Sequence, residues 1–197
     1  PILDSWEISS ERAKRKWPEI THEQHRYLFN ENIFEALGNL GPKKENPEDE
    51  KKWLQNTYFP NKLTTKPVEG IREVLEELKS YTLAINTSSL ESEVKEYLEK
   101  HSLLHFFSDI LGKETSKDKT EKFNILLNKY NIVGSDTVLI TDTVGDVLEA
   151  EKVGISSILV SWGYQTKEHF ATINEKFVAI VDTPKELTIA VKKFFED

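Results

Sequence analysis

Val138-Leu-Ile-Thr141-Asp142-Thr143-Val144-Gly145-Asp146-Val147 is the stretch on which the fold turns. A short apolar run, Val138 to Thr141, has the length and character of a strand buried on both faces. It ends in an acid. A helical pattern over Val147 to Val153 follows, carrying a second acid at its start. Strand, acidic turn, helix is half of a parallel βαβ unit. The same rhythm extends in both directions. Downstream, Ser157-Ile-Leu-Val-Ser161 reads as a strand, Phe177 to Val181 as a weaker one, and Pro184 to Phe195 as a closing helix with Pro in its first turn. Upstream, Val68 to Lys79 reads as a helix, Tyr81 to Asn86 as a strand, Leu90 to Lys100 as a helix, Phe106 to Leu111 as a strand and Thr120 to Tyr130 as a helix. Such alternation predicts an α/β fold, an open parallel sheet flanked by helices.

Ahead of Pro67 the rhythm stops. Glu7 to Lys16, Thr21 to Leu37 and Pro47 to Tyr58 read as helices, and no convincing strand interrupts them. Thr21 is placed as an N-cap. Gly38 and Gly41-Pro42 end the second helix, and Phe59-Pro60 with Lys66-Pro67 mark the exit. The charge divides at the same place. Residues 1–66 hold 11 basic and 11 acidic residues, whereas residues 67–197 hold 15 and 23, which accounts for the net charge of −8.

Composition narrows the possibilities. Hydrophobic residues make up 38% of the 197, enough for a sizeable core. The absence of cysteine excludes disulfides, thiolate metal sites and a cysteine nucleophile. Net negative charge argues against a general nucleic-acid binder. No apolar run approaches the roughly 20 residues that span a bilayer, and no signal peptide is evident, so a cytoplasmic protein without membrane association is expected. The chain contains no methionine, even at position 1, so the natural start is expected further upstream.

In open parallel sheets, sites form at the carboxyl ends of strands. After the strand at 138–141 stand Asp142 and Asp146. Two readings fit this pair. Hard oxygen donors at a strand tip suit Mg²⁺, which takes one or two carboxylates and keeps several waters. A polar turn with Asp146 as helix N-cap and Asp142 solvated fits equally. After the strand ending at Asn86 come Thr87-Ser88-Ser89, either an anion site at a helix N-terminus or ordinary capping. Between them lies a lysine-rich stretch, Lys113 to Lys122. One or two of its lysines can point inward to offset phosphate charge; the rest read as a solvated charge run. His22 with His25, and His101 with His105, lack a third metal ligand.

Together and in this order, these segments resemble the haloacid dehalogenase-like (HAD) hydrolase superfamily, phosphatase type. Asp142-Thr143-Val144-Gly145-Asp146-Val147, then Glu149-Ala150 and Gly154, is similar to its acidic motif. Leu83 to Ser88 looks like its second motif, with Thr87 as the hydroxyl residue. Lys119 fits the family's lysine, with Lys117 second and Lys113 too early. The opening Pro1-Ile2-Leu3-Asp4-Ser5 looks like the continuation of the first motif, so the nucleophilic Asp and the acid/base Asp would lie just upstream of Pro1. Thr141 stands where glycine is usual.

The resemblance implies a Rossmann-like core over residues 1–5 and 66–197, with a small helical cap of the first type at 6–65. It implies phosphoryl transfer through an aspartyl-phosphate. Thr87 and Ser88 would bind phosphoryl oxygens, Lys119 would offset charge, and Asp142 with Asp146 would hold Mg²⁺. The partner would be a small phosphorylated metabolite. A phosphomutase shares this chemistry; a non-catalytic binding protein lacking the nucleophile is the other class. Trp6, Trp17, Tyr27, Trp53 and Tyr58 could line the cap pocket or pack its interior. Trp162-Gly163-Tyr164 follows a strand end and could border the site or be buried.

Overall fold

The structure is a computed structural model that describes residues 20–40, 46–173 and 176–196. The predicted helix at 7–16, Trp6, Trp17, Asp4 and the opening residues lie outside the described residues.

The first described segment is helical throughout. Helix α1, His22–Tyr27, starts at Thr21, whose hydroxyl accepts from the Gln24 amide while the Gln24 side chain accepts from the Thr21 amide. The single helix expected from Thr21 to Leu37 is broken. A 3₁₀ turn covers Leu28–Asn30, Glu31 is extended, and α2 restarts at Ile33–Asn39. Asn32 causes the restart, because its side-chain oxygen accepts from the amides of Phe34 and Glu35. Helix α3, Pro47–Trp53, widens into a π-type turn at Leu54–Tyr58 and continues as α4, Phe59–Thr64. Phe59-Pro60 therefore does not mark the exit. Pro60 sits in the first turn of α4, where a missing N–H costs nothing.

Beyond Lys66 the expected alternation is present. Helix α5, Ile71–Glu77, leads to β1, Ala84–Asn86; α6, Glu91–Lys100, leads to β2, Asp109–Leu111; α7, Lys119–Tyr130, leads to β3, Val138–Thr141. Then follow α8, Val144–Glu151; β4, Ser156–Val160; a short α9, Lys167–Phe170; β5, Ala179–Val181; and α10, Pro184–Glu196. The strands at 81–86 and 106–111 are shorter than expected. Ser108 donates to the Leu83 carbonyl just ahead of the ladder, and a 3₁₀ turn takes Leu104–Phe106.

All strand pairs are parallel. β1 pairs with β2, Ile85 opposite Ile110. β3 pairs with β4, Ile140 opposite Ile158, and β4 with β5, Leu159 opposite Ile180. The ladders form two sheets, in the orders β1-β2 and β3-β4-β5. Among the described residues, the second edges of β1 and β3 have no strand partner. The exposure reflects this: Ile140 in β3 is 39% exposed, although its neighbour Ile158 is fully buried.

Alternation along β4 divides the core. Ile158 and Val160 face α5 and α10, packing with Val74, Leu78, Leu187 and Val191. Leu159 faces the other way, onto Val144 and Val147 of α8, with Phe170 and Ile173. A third cluster, Leu75, Leu98, Leu103 and Ile110, serves β1 and β2. Leu83 packs against the first cluster and the third, and so connects the two sheets.

Phe170 is fully buried, whereas Ile189 on α10 is well exposed. Phe170→Ala is expected to cost about 3–5 kcal/mol through lost transfer energy and a residual cavity. Ile189→Ala is expected to stay within about 0.5 kcal/mol. Urea unfolding of the two variants beside the parent chain checks both values.

Candidate active site

The carboxyl ends of β1 and β3 carry the chemistry. Asp142 follows β3 directly. One of its carboxylate oxygens, Oδ2, accepts from the Tyr164 amide at 2.7 Å, and its carbonyl accepts from the Gln165 amide. The loop after β4 can approach this closely because residue 163 is glycine: a Cβ there would overlap the Asp142 side chain. Burial pushes the Asp142 carboxyl up, against the pull of the Tyr164 amide. Asp142 is therefore not the solvated acid of a plain polar turn.

Asp146 lies within the first turn of α8. The N-cap position is taken by Thr143, not by Asp146. An acid here is favoured by the helix dipole. Oδ2 of Asp146 meets the Lys119 ammonium at 2.5 Å and accepts from the Thr141 hydroxyl at 2.9 Å. The threonine that replaces the usual glycine thus orients the second acid.

Lys119 opens α7. Asp118 caps that helix by accepting from the Thr120 amide, and the Asn86 side-chain amide donates to the Lys119 carbonyl. Of the three lysines considered from sequence, Lys119 is the one whose ammonium meets the acidic pair. The Lys117 ammonium lies over the Phe34 ring. Lys113 spends its amide on the Ser89 carbonyl.

Thr87 follows β1, and its amide extends the ladder by donating to the Leu111 carbonyl. Its hydroxyl accepts from the Ser89 amide at 3.1 Å. Ser88 lies in the turn these two residues close. The Ser89 hydroxyl receives the Lys62 ammonium, which also pairs with Glu93.

Three buried polar groups escaped the sequence reading. Lys122, one turn beyond Lys119, is fully buried and donates to the Thr87 carbonyl at 2.6 Å. Glu149 is buried and accepts from the Asn32 side chain at 2.8 Å and from the Lys119 amide at 3.2 Å. Gln165 is fully buried; it accepts from the Val144 amide and donates to the Arg26 carbonyl and the Asn30 side chain. The last two groups fasten residues 26–32 onto the start of α8. Gly145 makes room, since a Cβ there would strike the carbonyls of Glu31 and Phe29. Periodicity flagged none of these, because a buried lysine, glutamate or glutamine looks like any surface polar residue in a sequence.

The aromatic and histidine candidates are mostly packing. His25 is not on a solvated helix face: it is buried, hydrogen-bonded to the Tyr164 hydroxyl and packed against Phe29. Tyr58 is buried against Trp53 and Phe59, Tyr27 lies largely exposed beside His169, and Trp162 packs against the core between α5 and α10. His101 lies on Tyr97 and His105 on Phe106.

Among the described residues, no group of three or more His, Cys, Asp or Glu is placed to hold a metal. Mg²⁺ keeps several waters and needs only one or two carboxylates. Asp142 and Asp146 each have one oxygen engaged by the protein, as described, and a second oxygen to offer. Their donor chemistry therefore fits that ion.

The haloacid dehalogenase-like hydrolase family model matches residues 2–160. A phosphoglycolate phosphatase of Vibrio parahaemolyticus is 31% identical over 114 residues, covering 55% of this chain and 50% of the relative. One from Caulobacter vibrioides is 30% identical over 126 residues, covering 60% and 53%. The chain thus spans about half the length of the curated relatives it matches. Among solved structures, a predicted phosphatase from Clostridium acetobutylicum superposes with a TM-score of 0.73 at 20% identity, covering 96% of this chain and 93% of that one. At such identity the likeness shows the α/β fold with parallel strands flanked by helices. No described helix is long and apolar enough to cross a membrane.

Burial, reinforced by His22, lowers the His25 imidazole to about 4 from its ordinary 6.5. A histidine kept neutral in the fold favours the native state above pH 6.5, and that advantage is lost as pH falls toward 4. Between pH 7 and pH 4.5, His25→Gln is expected to lose about 2 kcal/mol less stability than the parent chain. Urea titrations at the two pH values measure the difference; equal losses would remove His25 as the cause.

Proposed function

The chain belongs to the haloacid dehalogenase-like hydrolase family, and from that membership we propose that it is a Mg²⁺-dependent phosphatase acting on a small phosphate monoester through an aspartyl-phosphate. One observation carries the reading. Lys119 and Asp146, in contact at 2.5 Å, stand beside Asp142 at the end of β3, while the same helix α7 reaches Thr87 at the end of β1.

In this reading Asp142 and Asp146 hold the metal. Mg²⁺ held there would supply charge neutralisation at the phosphoryl group and the attacking carboxylate. Lys119 offsets further phosphoryl charge while its contact with Asp146 holds both groups in place. The Thr87 hydroxyl accepts from the Ser89 amide, so its own proton is available to a phosphoryl oxygen. Ser88 contributes to the same cradle. The family resemblance puts the nucleophilic carboxylate, and the neighbouring acid, ahead of Pro1. The carboxylate bonds to phosphorus as the ester P–O bond breaks, and the neighbouring acid gives its proton to the departing oxygen. Water then attacks the acyl phosphate, releasing phosphate and restoring the carboxylate.

Residues 6–65 act as the cap and residues 1–5 with 66–197 as the core. Attachment of residues 26–32 to α8 through Gln165 and Glu149 supports a cap seated on the site. Relatives named phosphoglycolate phosphatases favour a small phosphorylated acid as the first substrate to assay.

Release of phosphate from phosphoglycolate and from p-nitrophenyl phosphate by the chain joined to the strand that carries the nucleophile, with Mg²⁺ or with EDTA, tests the reading. Activity is expected only with Mg²⁺, and Asp142→Asn is expected to lower it by about a hundredfold or more. Turnover that survives EDTA or Asp142→Asn would overturn the metal assignment. A folded chain that binds phosphate and turns nothing over would favour a binding protein.

A further inference from the structure

Resting on that reading, we propose that Lys122 is a second phosphate-binding cation of the site, beside Lys119 and held at the carboxyl end of β1. The Lys122 side chain is fully buried. Its ammonium carries three protons, and one of them goes to the Thr87 carbonyl at 2.6 Å. Among the described residues it makes no other hydrogen bond and no ion pair. A buried ammonium with a single neutral acceptor is costly unless an anion completes its shell.

The helix gives no reason for a cation here. Lys119 and Lys122 both fall in the first four positions of α7, where the macrodipole disfavours positive charge. Three residues apart, they project from one face. Lys119 is drawn toward β3 by Asp146, and Lys122 toward β1 by Thr87. The two ammonium groups therefore stand at the carboxyl ends of β1 and β3. Thr87 contributes its carbonyl to Lys122 and its hydroxyl proton to the same region, so an oxyanion bound beside Thr87 would meet both groups. Burial and the nearby Lys119 lower the Lys122 ammonium to about 8, against Glu149, Asp146 and Asp118, which favour its charge. A dianion beside it would restore the full charge.

The test is calorimetric binding of inorganic phosphate, with Mg²⁺ present, to the parent chain, Lys122→Met and Lys122→Gln. Methionine fills the buried volume without charge, so the fold is expected to melt no lower than the parent. Phosphate affinity is expected to fall tenfold or more in both variants. In the parent, affinity is expected to weaken from pH 7.5 to 9.5, and the variants lose this basic limb. A purely structural lysine would move the melting temperature and leave the limb unchanged. Folded variants binding within twofold of the parent would overturn the proposal. If neither variant folds, the parent decides: affinity lost between pH 7.5 and 9.5 supports Lys122 and a flat profile overturns it. A parent chain that binds no phosphate at all, and hydrolyses none of its esters, would overturn the phosphatase reading and this proposal together; the variants alone cannot produce that result.

Discussion

The contact between Lys119 and Asp146 joins α7 to α8 where the two sheets approach each other. Phe123 and Leu127 of α7 also pack with Ala150 of α8 and Leu139 of β3, while no ladder joins β1 to β3 among the described residues. The ion pair is mostly buried and strengthened on both sides. Thr141 donates to the acid, and Asn86 donates to the carbonyl of the lysine. A pair so desolvated gains little over an apolar pair of the same shape, but losing one partner strands the other in a poor medium. Its value lies in position. It sets the distance between the end of β1, where Thr87 stands, and the end of β3, where Asp142 stands.

The helical segment is bound to this junction by polar groups as well as by ring contacts such as Phe29 on Tyr164. Its own cluster is small, Ile20 with Leu28 and Leu37. What fastens it is Gln165 reaching Arg26 and Asn30, and Glu149 reaching Asn32. Both side chains also hold the site itself, Gln165 through the Val144 amide and Glu149 through the Lys119 amide. A shift of residues 26–32 would leave buried acceptors unpaired beside the two acids, at about 1–3 kcal/mol for each. The position of the segment and the geometry of the acidic pair are thereby coupled.

Much of this was legible in the sequence because apolar periodicity records burial. β3 matches its predicted bounds, and the parallel alternation follows from runs such as Ser157 to Ser161. Thr87 and Asp142 follow the ends of β1 and β3, and Lys119 and Asp146 lie in the first turns of α7 and α8. Helix breaks were less legible. Asn32 splits a helix by capping a new one, and Pro60 fails to end one because a π-type turn precedes it. Both depend on local hydrogen bonds that hydrophobic patterning does not encode. Lys122, Glu149 and Gln165 were invisible for the opposite reason: polar letters predict solvent, and only tertiary structure reveals which of them lost it. Two traces remain: Glu149 follows the acidic motif, and Lys122 ends the stretch Lys113 to Lys122, of which one or two lysines were expected to point inward.

On the proposed reading, a chain of net charge −8 would have to bind a phosphate dianion, a general electrostatic problem. The solution here is local. Two lysines at the start of one helix face two acids after a neighbouring strand, and the start of α8 adds its dipole. Without an added cation the four side chains nearly cancel. With Mg²⁺ on the acids, the balance would turn positive where a phosphoryl group would lie, while the rest of the surface stays acidic. Attraction would then act over a few ångströms rather than over a Debye length of about 8 Å. On that reading such a site would discriminate by fit at the strand ends, with little help from long-range steering. The attachment of residues 26–32 through Gln165 and Glu149 would then belong to the electrostatic design, because water kept from the strand ends could not weaken the charges there.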